Sequence, residues 1–310
     1  MAESVDALVS NTSGATHPGS IPGLGTEAEE TKVFFALFFL RNKSGFQQNS
    51  SKRLYIIRSK MQNKKEQEKT YWTIRKKFGQ ATKGYSMLED GDKILIALSG
   101  GKDSLTMLRL LAEQSRIYKP KISIVAAHVT MTNIPYKADM EFLKNFCEEN
   151  GTELHILESG FDASTDTRKS PCFLCSWNRR KALFTFAQEN GCNKIALGHN
   201  MDDFIETMLM NITFQGAFSA MAPVMKMEKF PITIIRPLCL VNENDVETYA
   251  KECEFPPQHK NCPYENDSNR KSMKDLLKHL ETLNPEARYN LWGSMSNIQS
   301  ELLPPSIKKQ

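Results

Sequence analysis

The stretch KILIALSGGKDS, residues 93–104, decides the fold. KILIAL is a short apolar run typical of a buried strand, and an amphipathic helical pattern begins at Ser104. Two glycines between them allow backbone N–H groups to approach an anion closely, at the positive end of the helix dipole. Ser99 and Ser104 add hydroxyl groups, and Lys102 adds positive charge. The stretch therefore predicts a phosphate-binding turn after a strand, with a composition that suits pyrophosphate.

Strand-like runs alternate with helical patterns outward from this turn. The runs are KILIALS, KISIVAAHV, ELHILE, KIALG and ITIIRPL, and the helical patterns cover 104–114, 137–149, 179–190, 202–212 and 243–253. Such alternation is typical of βαβ units. It predicts an α/β fold with a doubly wound parallel sheet.

Composition divides the chain into three parts. Residues 1–60 are predicted to be a disordered amino-terminal extension, because 1–32 are rich in small and polar residues, and Met61 is a plausible alternative start. Residues 61–255 form the predicted α/β domain. Residues 256–310 contain a cysteine-bearing loop and two helical patterns, 269–281 and 285–297, which predict a small helical cap.

Charge and cysteine content indicate which partners and which cellular compartment suit the protein. The 310 residues have a net charge of +4, which permits a phosphate-rich partner without requiring one. Seven cysteines without a secretory signal indicate reduced thiols and a cytoplasmic location. The apolar run 33–40 is far shorter than the roughly 20 residues that cross a bilayer, so no membrane association is expected.

The phosphate turn differs from the two best-known nucleotide loops. A Walker A loop would have glycine at Ile96 and serine or threonine at Asp103, and the spacing of a dinucleotide fingerprint is also missing. The alternative is a strand-to-helix turn without a ligand. Six suitable residues in the right context favour a phosphate site.

A second block, GHNMDD at 198–203, follows the strand run KIAL. Asp202 and Asp203 open the next helical pattern, with Glu206 one turn later, so the three carboxylates can cluster. Helix capping by the aspartates, with His199 packed locally, explains an isolated motif of this kind equally well.

Cys172 and Cys175 form a CxxC in a predicted loop before a basic helix, and Cys262 recurs downstream. Three such residues can close on one metal site. Together with His259 they would make a tetrahedral zinc site, and spacing alone favours zinc and iron–sulfur equally. The other four cysteines are predicted to be buried small hydrophobes: Cys147, Cys192, Cys239 and Cys253.

SGGKDS resembles the SGGxDS hallmark of the PP-loop ATP pyrophosphatase superfamily. The GHNMDD block and the RPL segment at 236–238 resemble the tRNA-modifying branch of that superfamily, which includes the lysidine synthetases and the 2-thiolation enzymes. The three cysteines and the SNRKxMK run at 268–274 resemble the tRNA-cytidine 2-sulfurtransferase family. The resemblance covers about residues 61–297. It implies an adenine nucleotide alpha hydrolase-like sheet of the PP-loop type.

The resemblance also implies a reaction. The loop would hold the β and γ phosphates of ATP while a substrate oxygen attacks the α phosphate, with Mg²⁺ held by Asp103 or the later acidic pair. The implied nucleotide-binding residues are Ser99, Gly100, Gly101, Lys102, Asp103, Ser104, His199, Asp202 and Asp203. The implied product is 2-thiocytidine in the anticodon loop of tRNA.

The family further implies a 4Fe-4S cluster on Cys172, Cys175 and Cys262, which would be catalytic together with Asp103. A cysteine desulfurase or another persulfide donor would supply the sulfur, and a homodimer is left open. Three basic runs are candidates for tRNA contact: Arg75, Lys76 and Lys77; Arg179, Arg180 and Lys181; and Arg270, Lys271 and Lys274. A lysidine-type tRNA ligase and a zinc-stabilised nucleotide or RNA-binding module without catalysis are the alternatives.

Overall fold

The computed structural model describes residues 68–134, 138–161, 171–228, 230–257 and 269–304. All of them belong to one compact unit, Lys64–Gln310. The extension predicted for 1–60 lies outside the described residues.

Strands and helices alternate along the described chain. In order they are α1 (68–84), β1 (Lys93–Ala97), α2 (Lys102–Ser115), β2 (Ser123–Met131), α3 (Met140–Glu149), β3 (Leu154–Ser159), α4 (Pro171–Glu189), β4 (Lys194–Ala196), α5 (Met201–Met210), a π-helical turn (Asn211–Gln215), β5 (Val224–Lys226), β6 (Thr233–Ile235), α6 (Glu243–Glu252), α7 (Asn269–Leu283), α8 (Ala287–Ser294) and a 3₁₀ turn (Ser300–Leu302). The sheet has six strands in the order β3-β2-β1-β4-β6-β5.

Five strands are mutually parallel, which confirms the predicted α/β sheet and all five predicted strands. The sixth, β5, was not predicted and runs antiparallel to β6. Its three residues, Val-Met-Lys, are too short to show an alternating pattern. An antiparallel edge strand on a parallel sheet is common in this class of fold.

Both faces of the sheet are buried. Ile94 and Ile96 of β1 pack on the side that holds Phe78 of α1 and the apolar face of α2. Leu95, between them, points to the opposite side and packs with Leu183 of α4. This arrangement explains why the strand runs are apolar on both faces rather than alternating.

The two helices predicted after residue 256 are confirmed as α7 and α8. Met273 and Leu277, one turn apart on α7, are buried against Met201 and Ile205 of α5, with Trp292 of α8 beside them. This third apolar cluster fixes α7 over the helix that begins at the second sequence motif.

Candidate active site

The two sequence motifs lie side by side at the switch point of the sheet. Strands β1 and β4 are neighbours in the sheet, but the chain continues from β1 to β2 on one side of this pair and from β4 to β6 on the other side. Doubly wound sheets bind ligands in the crevice at the carboxyl ends of two such strands. The SGGKDS turn follows β1, and GHNMDD follows β4. Asn200 Nδ2 donates to Asp103 Oδ1 at 2.8 Å and so links the two motifs directly.

Gly198 permits this close approach. A Cβ at this position would lie 3.1 Å from the backbone nitrogen of Ser104 and 3.2 Å from the carbonyl carbon of Asp103. Both are backbone atoms at the start of α2, which cannot rotate away as a side chain could. A side chain at position 198 would therefore fit only if the backbone at the start of α2 moved away from the second motif.

Replacing Gly198 with alanine should push the two motifs apart. We expect a loss of about 1–3 kcal/mol of unfolding free energy, typical of overpacking, together with weaker ATP binding. Thermal unfolding and calorimetric ATP titration measure both. Gly79→Ala is the control, because nothing lies within 4 Å of its added Cβ in α1. Unchanged ATP affinity in a Gly198→Ala protein would show that the contact is not needed.

The phosphate turn has the geometry that an anion needs. Gly100 adopts a φ of 85°, which favours glycine. The Ser99 and Ser104 hydroxyls lie 3.1 Å apart, and the Ser104 hydroxyl donates to the Gly101 carbonyl at 2.9 Å. No side chain caps α2, whose first residue is Lys102, so the amino-terminal N–H groups of the helix face the turn.

Lys102 lies between two carboxylates. Its Nζ is 3.0 Å from Asp103 Oδ2 and 3.4 Å from Glu243 Oε1. Burial lowers the pKa of Lys102, but Asp103 and Glu243 outweigh it, and the net shift is upward. Lys102 is therefore a protonated, positioned cation at the start of α2.

The second motif is partly structural. Asn200, not an aspartate, caps α5, and Asp203 completes a capping box by accepting from the Asn200 backbone N–H at 3.0 Å. The predicted capping role thus falls on Asn200 and Asp203. The other oxygen of Asp203 pairs with Arg270 at 2.8 Å.

Asp202 is buried and connects α6 and α8 to the second motif. Its Oδ2 accepts from the Glu243 backbone N–H at 2.8 Å, and its Oδ1 pairs with Arg288 of α8. Arg288 also forms a two-point contact with Glu281 of α7, at 2.8 and 3.1 Å. Asp202 therefore sets the position of α6 and α8 around the site.

His199 is held as a neutral ring. Arg236 Nε donates to His199 Nδ1 at 3.3 Å, so Nδ1 accepts and the proton of the neutral ring is on Nε2. Burial, followed by the charges of Arg236, Arg270 and Arg180, lowers the pKa of His199 to about 4. At neutral pH, His199 can donate one hydrogen bond from Nε2 without adding charge.

Sequence reasoning missed Glu243 and Arg288. An acidic residue in the first turn of the helix after β6, at the switch-point end of the sheet, is a signal that could have indicated Glu243. Nothing in the sequence indicated Arg288, because its contact with Asp202 depends on the packing of α8.

Glu206 completes the acidic group one turn after Asp203. Burial, then the negative charge of Asp203, raises the pKa of Glu206 to about 7, although Arg270 opposes the shift. The Arg270 Nε lies 4.0 Å from Glu206 Oε2. Near neutral pH, Glu206 can therefore bind or release a proton, or take a cation.

Without metal ions, Glu206 should make stability fall as pH rises. Between pH 4.5 and about 7, Glu206 keeps its proton in the folded state but has lost it in the unfolded state. The free energy of unfolding therefore falls as pH rises, until Glu206 is ionised in both states. Glu206→Gln stays neutral. We expect it to gain up to about 3 kcal/mol over wild type at pH 8 and to be equally stable below pH 4.5.

Denaturant unfolding in EDTA at several pH values measures this effect. Glu148→Gln, at an exposed position on α3, is the control and should follow the wild-type curve. A Glu206→Gln protein that is less stable than wild type at pH 8 would contradict the assignment.

The cysteine pair lies on a helix rather than in the predicted loop. Cys172 and Cys175 are in the first described turn of α4, which includes Pro171, a residue favoured at helix starts. Cys172 is exposed, and Cys175 is half-buried. Residues three apart share a helix face, so the two thiols are neighbours at the carboxyl edge of the sheet.

The predicted third ligand, Cys262, and His259 lie outside the described residues. Within the described ranges, no group of three or more His, Cys, Asp or Glu side chains is arranged to hold a metal ion. The three-cysteine set therefore stays a prediction.

Three of the four remaining cysteines are buried, as predicted: Cys147, Cys192 and Cys239. Burial raises the pKa of Cys147 to about 11 and that of Cys239 to about 12. The prediction is wrong for Cys253, which is half-buried and accepts a hydrogen bond from Arg109 at 3.1 Å. Arg109 reaches Cys253 because it stacks over Phe255 nearby.

Many of the basic residues that were candidates for tRNA contact pair with carboxylates of the chain itself. Arg75 lies 3.6 Å from Glu113, and Lys77 lies 2.7 Å from Asp245. Arg270 and Lys274 face the candidate site. The exposed members of the runs are Lys76, Arg180, Lys181, Arg270 and Lys271.

Over the part of the chain that is described, no helix is both long and apolar enough to cross a membrane.

Comparison with known proteins agrees with the geometry. Residues 70–280 match the family described as the PP-loop domain. The tRNA-cytidine(32) 2-sulfurtransferase of Geobacter metallireducens is 37% identical over 238 residues, which are 75% of this chain and 92% of that protein. The protein of the same name from Pseudomonas putida is 35% identical over 75% of this chain and 86% of its own length.

A solved structure is also similar. The U34-tRNA thiolase NcsA from Methanococcus maripaludis, solved with its 4Fe-4S cluster, superposes with a TM-score of 0.63 at 29% identity, over 78% of this chain and 83% of that chain. The chain belongs to the PP-loop superfamily and, within it, to the tRNA-cytidine 2-sulfurtransferase family.

Proposed function

We propose that this protein catalyses ATP-dependent thiolation of tRNA, in which the C2 oxygen of a cytidine in the anticodon loop is adenylated and then replaced by sulfur. The observation that carries the proposal is the contact between the two motifs at the switch point, made by Gly198 and by the bond from Asn200 to Asp103. The cysteine pair lies at the start of α4, the helix that follows β3, and so at the carboxyl edge of the sheet.

The first step is attack of the cytidine C2 oxygen on the α phosphorus of ATP. A new P–O bond forms, the bond to the β phosphate breaks, and pyrophosphate leaves. Lys102 and the amino-terminal N–H groups of α2 compensate the charge that develops on pyrophosphate. The neutral His199 donates to a phosphate oxygen from Nε2. The Ser99 and Ser104 hydroxyls, which donate to Ser104 and to the Gly101 carbonyl in the structure, would rotate to donate to phosphate.

In the second step, the sulfur of hydrosulfide bonds to C2, the C2–O bond breaks, and AMP leaves. A persulfide donor would supply that hydrosulfide when a thiol reductant cleaves its S–S bond. Cytidine C2–O is a poor leaving group until the oxygen is bound to AMP, which explains why ATP is consumed. The residues assigned to this step are Cys172 and Cys175, with Cys262 from the segment outside the described residues.

The described carboxylates do not form a ready-made metal site, so Mg²⁺ would bind together with ATP, whose phosphates would supply further oxygen ligands. Asp103, Asp203 and Glu206 present carboxylate oxygens near the phosphate turn, and oxygen is the ligand that Mg²⁺ prefers. Glu243 and Arg288 engage both oxygens of Asp202. The oxygens of Asp103 and Asp203 are also paired within the protein, so Mg²⁺ would have to displace Lys102 from Asp103 or Arg270 from Asp203. Mg²⁺ would gather the phosphate charges of ATP.

The cysteine pair fits a cluster. An exposed and a half-buried thiol on one helix face present two sulfur ligands to one site. A 4Fe-4S cluster on three cysteines leaves one iron free to bind the sulfur that is transferred. A cytoplasmic location is proposed for the protein, because such cysteines must stay reduced.

A cysteine desulfurase, or another persulfide donor, is the proposed source of sulfur, and a homodimer is a proposed assembly. The exposed cations Lys76, Arg180, Lys181 and Lys271 are the proposed contacts to tRNA phosphates.

Metal and nucleoside analysis together test the proposal. Protein purified without oxygen should contain about four irons and four sulfides per chain, and should form 2-thiocytidine in unmodified tRNA when ATP and a sulfur source are present. Zinc without sulfide, and no pyrophosphate release with tRNA, would instead indicate a nucleotide or RNA-binding module. Lysine attached to cytidine would indicate a lysidine-type ligase.

A further inference from the structure

The basic side chains of α7 point to the candidate site. Arg270 Nη1 lies 2.8 Å from Asp203 Oδ1, and Arg270 Nε lies 4.0 Å from Glu206 Oε2. One turn later, Lys274 Nζ lies 2.6 Å from Glu243 Oε2. Residues four apart share a helix face, so α7 presents one basic edge to the carboxylates around the phosphate turn.

The apolar core fixes this edge in place. Met273 and Leu277 of α7 are 7% and 2% exposed and pack against Met201 and Ile205 of α5. Because α5 begins at the second motif, the same packing that buries Met273 places Arg270 and Lys274 beside that motif. The two cations are therefore positioned before any ligand binds.

Glu243 connects α7 to the phosphate turn. Its Oε1 pairs with Lys102 at 3.4 Å, and its Oε2 pairs with Lys274 at 2.6 Å. Lys102 is the cation of the phosphate turn, and it shares one carboxylate with Lys274. Two cations that converge on one carboxylate are close enough to share a longer anion, such as a chain of phosphates.

We propose that α7 is a phosphate-binding arm of the nucleotide site, in which Arg270 and Lys274 exchange their carboxylate partners for the β and γ phosphate oxygens of bound ATP. The inference rests on the ATP site of the proposed function. Asp203 and Glu206 then become available to the Mg²⁺ that accompanies ATP, and Glu243 keeps its contact with Lys102.

Phosphate groups of tRNA are the other source of the same chemistry. Lys271 and Arg270 are both exposed on α7, but Arg270 and Lys274 contact carboxylates beside the phosphate turn. The orientation therefore favours ATP, and the test below separates the two sources.

Calorimetric titration of the full-length protein with inorganic pyrophosphate, and separately with ATP, tests the arm. Titration in EDTA keeps metal ions out of the comparison. Each of Arg270→Gln and Lys274→Gln should weaken binding of both ligands about tenfold, as expected for one charge-assisted hydrogen bond that is partly exposed. Lys144→Gln, at an exposed position on α3, is the control and should bind both ligands within about twofold of wild type.

Binding of unmodified tRNA, measured with the same variants, identifies the source of phosphate. The arm predicts that Arg270→Gln and Lys274→Gln bind tRNA as wild type does. Variants that lose affinity for tRNA and keep it for pyrophosphate and ATP would overturn the proposal. Variants that bind all three ligands normally would also overturn it.

Glu243→Gln gives a test with the opposite sign. The variant keeps the size of the side chain but removes the charge that competes with phosphate for Lys102 and Lys274. Metal-free pyrophosphate should therefore bind about threefold or more tightly than to wild type, as expected for losing part of one ion pair. Unchanged or weaker metal-free binding would contradict the exchange of partners, because a purely structural Glu243 would give no gain in affinity.

Wild-type protein separates this inference from the proposed function. If wild type binds neither ATP nor pyrophosphate, the nucleotide site itself is wrong. If wild type binds both and the α7 variants bind equally well, only the arm is wrong. Thermal unfolding of each variant confirms that the titrated protein is folded.

Discussion

A Cys172→Ala protein should form no detectable 2-thiocytidine while binding ATP as tightly as wild type. Cys172 is exposed on the first described turn of α4, so its removal costs little packing, but it takes away one of the sulfur ligands. The proposed ATP contacts lie on the turn after β1 and at the start of the helix after β4, which the substitution leaves intact. Mass spectrometry of tRNA nucleosides measures the thiolation, and calorimetry measures ATP binding.

Cys253→Ser is the matched control. Cys253 is a half-buried thiol outside the site, and serine can still accept the hydrogen bond from Arg109. We expect normal thiolation from this variant. A Cys172→Ala protein that still makes 2-thiocytidine would remove the cysteine pair from the reaction.

Replacing Lys102 with alanine should lower the rate of pyrophosphate release by about 10²–10³-fold, the effect of losing one positioned group that stabilises developing charge. Lys102 opens α2, and its pairing with Asp103 and Glu243 keeps it charged and in place. In the variant these two carboxylates lose their nearest common cation, so ATP affinity should fall as well. Release of pyrophosphate in the presence of unmodified tRNA measures the rate.

Lys83→Ala, at an exposed position on α1, is the control and should react at the wild-type rate. A Lys102→Ala protein with unchanged kcat/KM would show that the SGGKDS turn does not hold the leaving pyrophosphate. Loss confined to KM would instead indicate that Lys102 binds substrate and transition state equally well.

The sequence was sufficient to predict the central strand of the sheet, because β1 is buried on both faces. Ile94, Leu95 and Ile96 are all apolar and all fully buried, and a continuous apolar run of this kind is visible without a structure. Strand β5 was missed because three half-exposed residues, Val224–Lys226, leave no pattern. Its place depends on pairing with β6, which is a tertiary contact.

The site could be predicted where residues near in sequence act together. Ser99 to Ser104 form one turn, so their spacing alone indicated phosphate. Glu243, Arg288 and the site-facing cations of α7 come from helices far along the chain, and packing alone brings them to the motifs.

The cysteine pair shows another limit. The CxxC spacing identified Cys172 and Cys175 as neighbours, but a loop was predicted where α4 continues to Pro171. The apolar side chains of Pro171, Phe173, Leu174 and Trp177 are compatible with a loop or with a helix. The direction of α4 is set by its later turns, where Leu183 and Ala187 pack in the core.

The measurement that tests the central claim most directly is the amount of AMP formed per 2-thiocytidine, in one anaerobic reaction with unmodified tRNA, ATP and a sulfur source. The account predicts equal amounts of the two products, with no 2-thiocytidine when ATP is omitted. Thiolation without AMP, or AMP release with tRNA but no 2-thiocytidine in an iron-loaded protein, would contradict it.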